Sequence, residues 1–191
     1  MSFFEEQLLL HASPVISGIK VSNMFSVPVK CAPEISGDFR IYSNILMNKG
    51  IKMKFFYCKE GKVNIFAYGL NELFEALNDD DIIEYLKLKG YPSPEKDNIS
   101  PMIDTLKKRI LETNEYPHEI GFFLGYPKDD VFEFIDKKGR NYKSCGFWKV
   151  YTDEKRANDI FCSYKMIRDK FLNMAKSGVP VINIVLAAWL L

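Results

Sequence analysis

The sequence predicts an α/β protein, with α+β as the alternative, in which helices cover a mixed β-sheet. A central hairpin pattern and a C-terminal half that alternates in the order β-α-β-α-β both lead to this prediction. Composition is the third observation, because 47% of the 191 residues are hydrophobic and 14% are aromatic. These proportions are typical of a packed globule, so we expect residues 1–191 to form a single compact domain.

The N-terminal part combines a capped helix with an irregular segment. Ser2 and Glu5 have the spacing of a capping box, which predicts a short helix that ends near His11. Proline and glycine then recur over residues 13–37, and this pattern favours loops around short extended pieces. Asp38 is a suitable N-cap for the next predicted helix.

The middle of the chain predicts an antiparallel hairpin followed by short helices. Apolar residues alternate with lysines over residues 51–57, and a second strand pattern covers residues 63–68 after a turn at 59–62. Three amphipathic patterns between residues 73 and 110 predict three helices. The acidic run 79–81 is interpreted as a helix start, where acidic side chains offset the helix dipole, in preference to a metal site.

The C-terminal half predicts three strands separated by two helices. Residues 118–124 form an apolar run that we interpret as a buried strand, and a helix is predicted over about 128–138. Residues 142–151 predict a second strand, and a long helix follows from about residue 153. The uncharged run 179–191 is interpreted as a third buried strand, with a homodimer interface as the alternative.

Charge, cysteines and the N-terminus exclude several classes of protein. Twenty-six basic residues against 25 acidic ones leave a net charge of +1, so we expect no nucleic-acid partner. The cysteines at 31, 58, 145 and 162 form no C-x-x-C pair, which predicts no metal site and reduced, mostly buried thiols. Neither a secretory signal nor an apolar run of about 20 residues is apparent, so we expect a cytoplasmic protein without a membrane partner.

His118 is the stronger of two histidines that could serve acid–base chemistry, the other being His11. Glu119 follows it, and both are candidate catalytic residues. Neighbouring strand residues point to opposite faces, so a partner for either has to come from elsewhere. A structural histidine at a strand entrance is the simpler alternative. A pair with Cys145 is weaker, because that cysteine is expected inside a buried strand.

Tyr126 and Tyr151 mark a second kind of candidate site. Each follows a predicted strand and precedes a predicted helix, and open α/β sheets bind ligands at such strand ends. A small anion or a flat ring would suit this position. A simple tight turn at residues 125–127 is the alternative. Glycine-rich phosphate-binding motifs are absent, so the cofactor stays unknown.

Three segments carry a family resemblance. They are HASPVISGIK at 11–20, HEIGFFLGYPKDDV at 118–131 and GFWKVY at 146–151. Together they resemble the bacterial domain-of-unknown-function family DUF3793, over most of the chain. The resemblance implies no activity, substrate or catalytic residue. It directs attention to side chains within these segments, namely Lys20, His118, Glu119, Tyr126 and Lys149.

Three functions follow as hypotheses. The first is a small-molecule-binding or accessory protein with a site near Tyr126 and Tyr151, to which Lys20 and Lys149 are added as candidate ligand-binding residues. The second is an enzyme that uses His118 as a general acid or base. The third is an interaction module or homodimer that uses the apolar C-terminal segment. Convergence of the candidate residues in space would favour a site.

Overall fold

The computed structural model describes residues 1–59, 61–113 and 116–188, with the backbone alone at 32, 34, 57–59 and 113. Helices hold 58% and strands 14% of the residues, which confirms an α/β or α+β class. The chain divides into two compact units, one of residues 1–70 with 163–191 and one of residues 71–162. The expectation of a single domain stays a prediction.

The elements alternate helices with short strands throughout the chain. In order they are α1 (Phe3–Ile16), β1 (Ser22–Pro28), a 3-10 turn (Val29–Cys31), α2 (Ala32–Met47), β2 (Ile51–Lys59), β3 (Lys62–Gly69), α3 (Leu70–Leu77), α4 (Asp80–Leu88), α5 (Ser100–Thr113), α6 (Ile120–Phe123), α7 (Lys128–Asp136), β4 (Ser144–Cys145), β5 (Lys149–Val150), α8 (Glu154–Lys176) and α9 (Val181–Ala187).

A three-stranded antiparallel sheet in the order β1-β3-β2 organises the first unit. Strands β2 and β3 form the predicted hairpin, in which Phe55 pairs with Ile65, and Ser22 of β1 lies opposite Tyr68 on the other edge of β3. The predicted turn includes Glu60, which lies outside the described residues. Helices α1, α2 and α9 bury their apolar faces with Val63 and Ile65 in one hydrophobic core.

Local signals at the N-terminus are partly confirmed. The Ser2 hydroxyl accepts a hydrogen bond from the Glu5 amide at 3.1 Å, and the Glu5 carboxylate accepts one from the Ser2 amide at 2.7 Å, as a capping box requires. The predicted end near His11 is wrong, because α1 continues to Ile16. The prediction of loops around short extended pieces over residues 13–37 holds in part, since β1 (Ser22–Pro28) is such a piece, but α1 covers residues 13–16 and α2 begins at residue 32. The N-cap at Asp38 is wrong, because Asp38 lies inside α2.

The predictions of a mixed sheet and of a C-terminal β-α-β-α-β unit are wrong. Residues 120–123 and 181–187 are helical, and the segment 142–151 contains only a two-residue antiparallel ladder of β4 with β5. Every strand pair among the described residues is antiparallel. Short apolar runs do not distinguish a buried strand from a buried helix. Residues 189–191 of the predicted last strand lie outside the described part of the chain.

The structure confirms the helices predicted around the acidic run 79–81. Asp79 is the N-cap of α4 and accepts hydrogen bonds from the amides of Asp81 and Ile82 at 3.1 and 3.4 Å. Lys128 also binds the carboxylates of Asp79 and Asp81, at 2.8 and 2.7 Å. These acidic residues therefore start a helix, and the described residues contain no group of side chains that could hold a metal ion.

Two observations bear on the cysteines and on membranes. Cys145 and Cys162 are exposed, so the prediction of mostly buried thiols is wrong for both, while Cys31 is partly buried. The Cys58 side chain lies outside the described residues. Among the helices that the structure describes, none is long and apolar enough to cross a membrane.

Candidate functional site

A cavity of about 350 Å³ lies in the second unit, where α6 and α7 meet the β4–β5 hairpin. This volume falls within the range of about 300 to 1,000 Å³ that is usual for small-molecule sites. Aromatic residues form much of its wall, namely Tyr116, Tyr126, Phe134, Phe147 and Trp148. The polar residues in its lining include His118, Asp130, Cys145 and Lys149.

The carboxylate of Asp130 fastens the cavity wall to α7. It is 2% exposed and accepts hydrogen bonds from the Trp148 indole at 2.8 Å and from the amides of Tyr151 and Thr152 at 2.8 and 2.9 Å. The Thr152 hydroxyl donates a further bond at 2.9 Å. A buried carboxylate needs such donors to offset its lost hydration, and here they come from the end of the hairpin.

Close packing fixes the aromatic wall. Trp148 stacks on Tyr126 with ring centroids 5.1 Å apart, and its edge-to-face contact with Phe161 has a centroid distance of 4.5 Å. A Cβ atom at Gly146 would overlap the Phe161 ring, and one at Gly121 would come within 2.8 Å of the Val131 side chain. A larger residue at either position would force the neighbouring side chain to shift, so the two glycines permit this close approach.

His118 and Lys149 lie against the same ring of the wall. The exposed His118 ring contacts Phe134 edge to face at 5.1 Å, and the Lys149 ammonium lies 5.6 Å from the Phe134 centroid. Lys149 also lies 4.8 Å from the Tyr142 ring and donates a hydrogen bond to the Gly139 carbonyl at 2.7 Å. Gly139 lies two residues after the C-cap of α7 and has φ of +72°, a conformation that other residues adopt with strain.

Glu119 lies in a partly buried ion pair and is not among the cavity-lining residues. Its carboxylate is 3% exposed and accepts hydrogen bonds from Arg109 Nε at 2.6 Å and from the Tyr91 hydroxyl at 3.2 Å. Burial and the nearby Glu119 charge raise the pKa of Tyr91. These bonds join α5 to the start of α6. Both hydrogen-bond partners of the Glu119 carboxylate, Arg109 and Tyr91, therefore help to hold the fold together.

Lys20 and Tyr151 do not share the cavity either. Lys20 belongs to the first unit, where it is 5% exposed and donates a hydrogen bond to Asn23 Oδ1 at 2.6 Å. Burial lowers the pKa of Lys20 to about 7. Tyr151 is buried beside the Lys137 ammonium, which lies 5.3 Å from its ring, and burial raises the pKa of its hydroxyl.

Three of the six candidate residues therefore meet at one cavity: His118, Tyr126 and Lys149. The turn before α7 follows the helix α6, so Tyr126 does not mark the end of a strand. The His118 imidazole forms no hydrogen bond or ion pair with any described residue, although Cys145 lines the same cavity. Sequence reasoning missed the anchoring role of Asp130, because its hydrogen-bond donors lie 18 to 22 positions away in the chain.

Comparison with known proteins identifies a family whose function is unknown. A sequence profile described as a protein of unknown function, DUF3793, matches residues 8–185 and confirms the resemblance noted in the sequence. No curated protein and no solved structure matches the chain.

Replacement of Glu119 by glutamine tests its structural role. Glu119→Gln leaves the Arg109 charge without its anionic partner, so the free energy of unfolding should fall by about 2 to 3 kcal/mol in urea titrations. Glu112→Gln is the matched control, because Glu112 pairs with Lys108 at 3.8 Å on the exposed surface of α5. There we expect a change below about 0.5 kcal/mol. Equal effects of the two substitutions would argue against a structural role for Glu119.

The buried Lys20 predicts a pH-dependent stability. Its pKa is about 7 in the fold against a usual 10.5, so between these pH values the unfolded chain holds a proton that the folded protein lacks. Stability contributed by this residue therefore rises from pH 7 towards 10.5 and is lowest below pH 7. Lys20→Met should gain most relative to wild type at low pH. Urea unfolding of both proteins across this range checks the slope, and a constant difference would contradict it.

Proposed function

We propose, starting from the fact that the chain belongs to the DUF3793 family of proteins of unknown function, that it binds a small molecule in the cavity beside Tyr126 and Trp148. The observation that carries the proposal is the aromatic cavity of about 350 Å³, in which three of the six candidate residues meet. A location in the bacterial cytoplasm is part of the same proposal.

The lining supports ligand binding in two ways. Tyr116 and Phe147 are 47% and 36% exposed at the cavity, although large aromatic side chains gain free energy when they are buried. A ligand would cover them. Trp148, which follows Phe147 in the hairpin, is held in place by Asp130, so little ordering of this wall is required when a ligand enters.

A second candidate function is an enzyme in which His118 acts as a general acid or base. The exposed position of His118 in the cavity lining favours it, since a ligand there could reach the imidazole. The proton acceptor or donor would then be the ligand itself, because no described residue hydrogen-bonds the ring. Mass spectrometry of ligand recovered from wild type and His118→Gln separates conversion from binding alone.

Cysteine protection tests the binding proposal. A thermal-shift screen of nucleotides, flavins and metabolites should yield compounds that raise Tm, and these should also slow iodoacetamide alkylation of Cys145, which is exposed at the cavity. At a concentration about tenfold above Kd, the alkylation rate should fall about tenfold, because only free protein reacts.

The matched control is Cys162, which is also exposed but does not appear in the cavity lining. Its alkylation rate, read from the same digest by mass spectrometry, should stay unchanged. Compounds that raise Tm without protecting Cys145 would place the binding site elsewhere and refute the proposal.

A further inference from the structure

The charges in the cavity lining are not equally available to a ligand. Asp130 and Lys149 are its two formally charged members among the described residues. The Asp130 carboxylate already accepts bonds from Trp148, Tyr151 and Thr152 and is 2% exposed. A cationic ligand would have to displace these donors, and the hairpin would then lose its anchor to α7.

Lys149 still has donors to offer. An ammonium carries three N–H groups, and the structure assigns one of them to the Gly139 carbonyl at 2.7 Å. Its other neighbours are the rings of Tyr142 and Phe134, at 4.8 and 5.6 Å, which attract the charge without accepting a conventional hydrogen bond. The ammonium is thus held in place with N–H groups left for an acceptor.

Much of the remaining wall is aromatic and can take a flat molecule. Tyr126 is partly exposed and is backed by Trp148, with 29° between the ring planes. Planar ligands pack well on such surfaces, because ring stacking adds to the burial of apolar area. His118 lies on the same Phe134 ring as Lys149, and its ring nitrogens provide a second polar contact.

We infer that the ligand is a planar aromatic anion, whose ring packs beside Tyr126 and whose carboxylate or other acidic group accepts hydrogen bonds from Lys149. This inference rests on the proposed function and adds the chemical class of the ligand. The anion would complete the coordination of the ammonium, and the ring would cover the exposed aromatic lining.

Two fluorescent probes that share their rings test the charge requirement. Anilinonaphthalene sulfonate is an aromatic anion with a planar naphthalene ring, and N-phenylnaphthylamine has the same rings without the sulfonate. Titration of wild type should give a lower Kd for the anionic probe. Lys149→Met should raise that Kd about tenfold, the effect of losing one charge-assisted hydrogen bond, and should leave the Kd of the neutral probe unchanged. Lys149→Arg keeps the charge and should retain most of the preference.

Lys143→Met is the matched control within the same hairpin segment. Lys143 also donates one hydrogen bond to a backbone carbonyl, that of Thr152 at 2.7 Å, but it is not among the cavity-lining residues. The Lys143→Met variant should bind both probes with unchanged Kd. Circular dichroism of each variant verifies the fold, and Lys149→Gln, which also removes the charge, provides the reading if Lys149→Met unfolds.

Two outcomes distinguish a failure of the anion inference from a failure of the proposed function. If both probes bind and protect Cys145, but removal of the Lys149 charge does not change their relative affinity, the anion inference is wrong and the binding proposal stands. If neither probe binds or protects Cys145 in wild type, the proposed function fails and the inference with it.

Discussion

The buried carboxylate of Asp130 is the interaction on which the candidate site depends. The ladder of β4 with β5 has only two residue pairs, Ser144 with Val150 and Cys145 with Lys149. An isolated hairpin of this length is not stable in water. The hydrogen bonds from Trp148, Tyr151 and Thr152 to Asp130 supply the missing constraint, so one side chain of α7 positions one wall of the cavity.

The adjacent residues His118 and Glu119 have different roles, one in the cavity lining and the other in the fold. Glu119 is buried and bonded to Arg109 and Tyr91, which fixes the start of α6. His118 is exposed and lies against Phe134 in the cavity lining. The ion pair at Glu119 can therefore hold the backbone that presents His118, and its own carboxylate is not available to the cavity.

Features encoded by short stretches of sequence could be predicted. The capping box at Ser2, the hairpin of residues 51–69 and the helix start at the acidic run 79–81 each depend on neighbouring residues, and the structure contains all three. Helices α6 and α9 could not be predicted, since their apolar runs fit a buried strand equally well. Among site residues, His118, Tyr126 and Lys149 were identified by motif, whereas the roles of Asp130 and Glu119 depend on partners brought close only by folding.

Hydrogen exchange in Asp130→Ala tests most directly whether this carboxylate holds the cavity wall. The amides of Tyr151 and Thr152 donate to it in wild type, so their exchange should accelerate about tenfold or more in the variant, as expected for loss of a buried hydrogen bond to a charged group. The amide of Ile65, on the central strand of the first unit, should keep its protection. Unchanged protection of Tyr151 and Thr152 in a folded variant would contradict the anchoring role of Asp130.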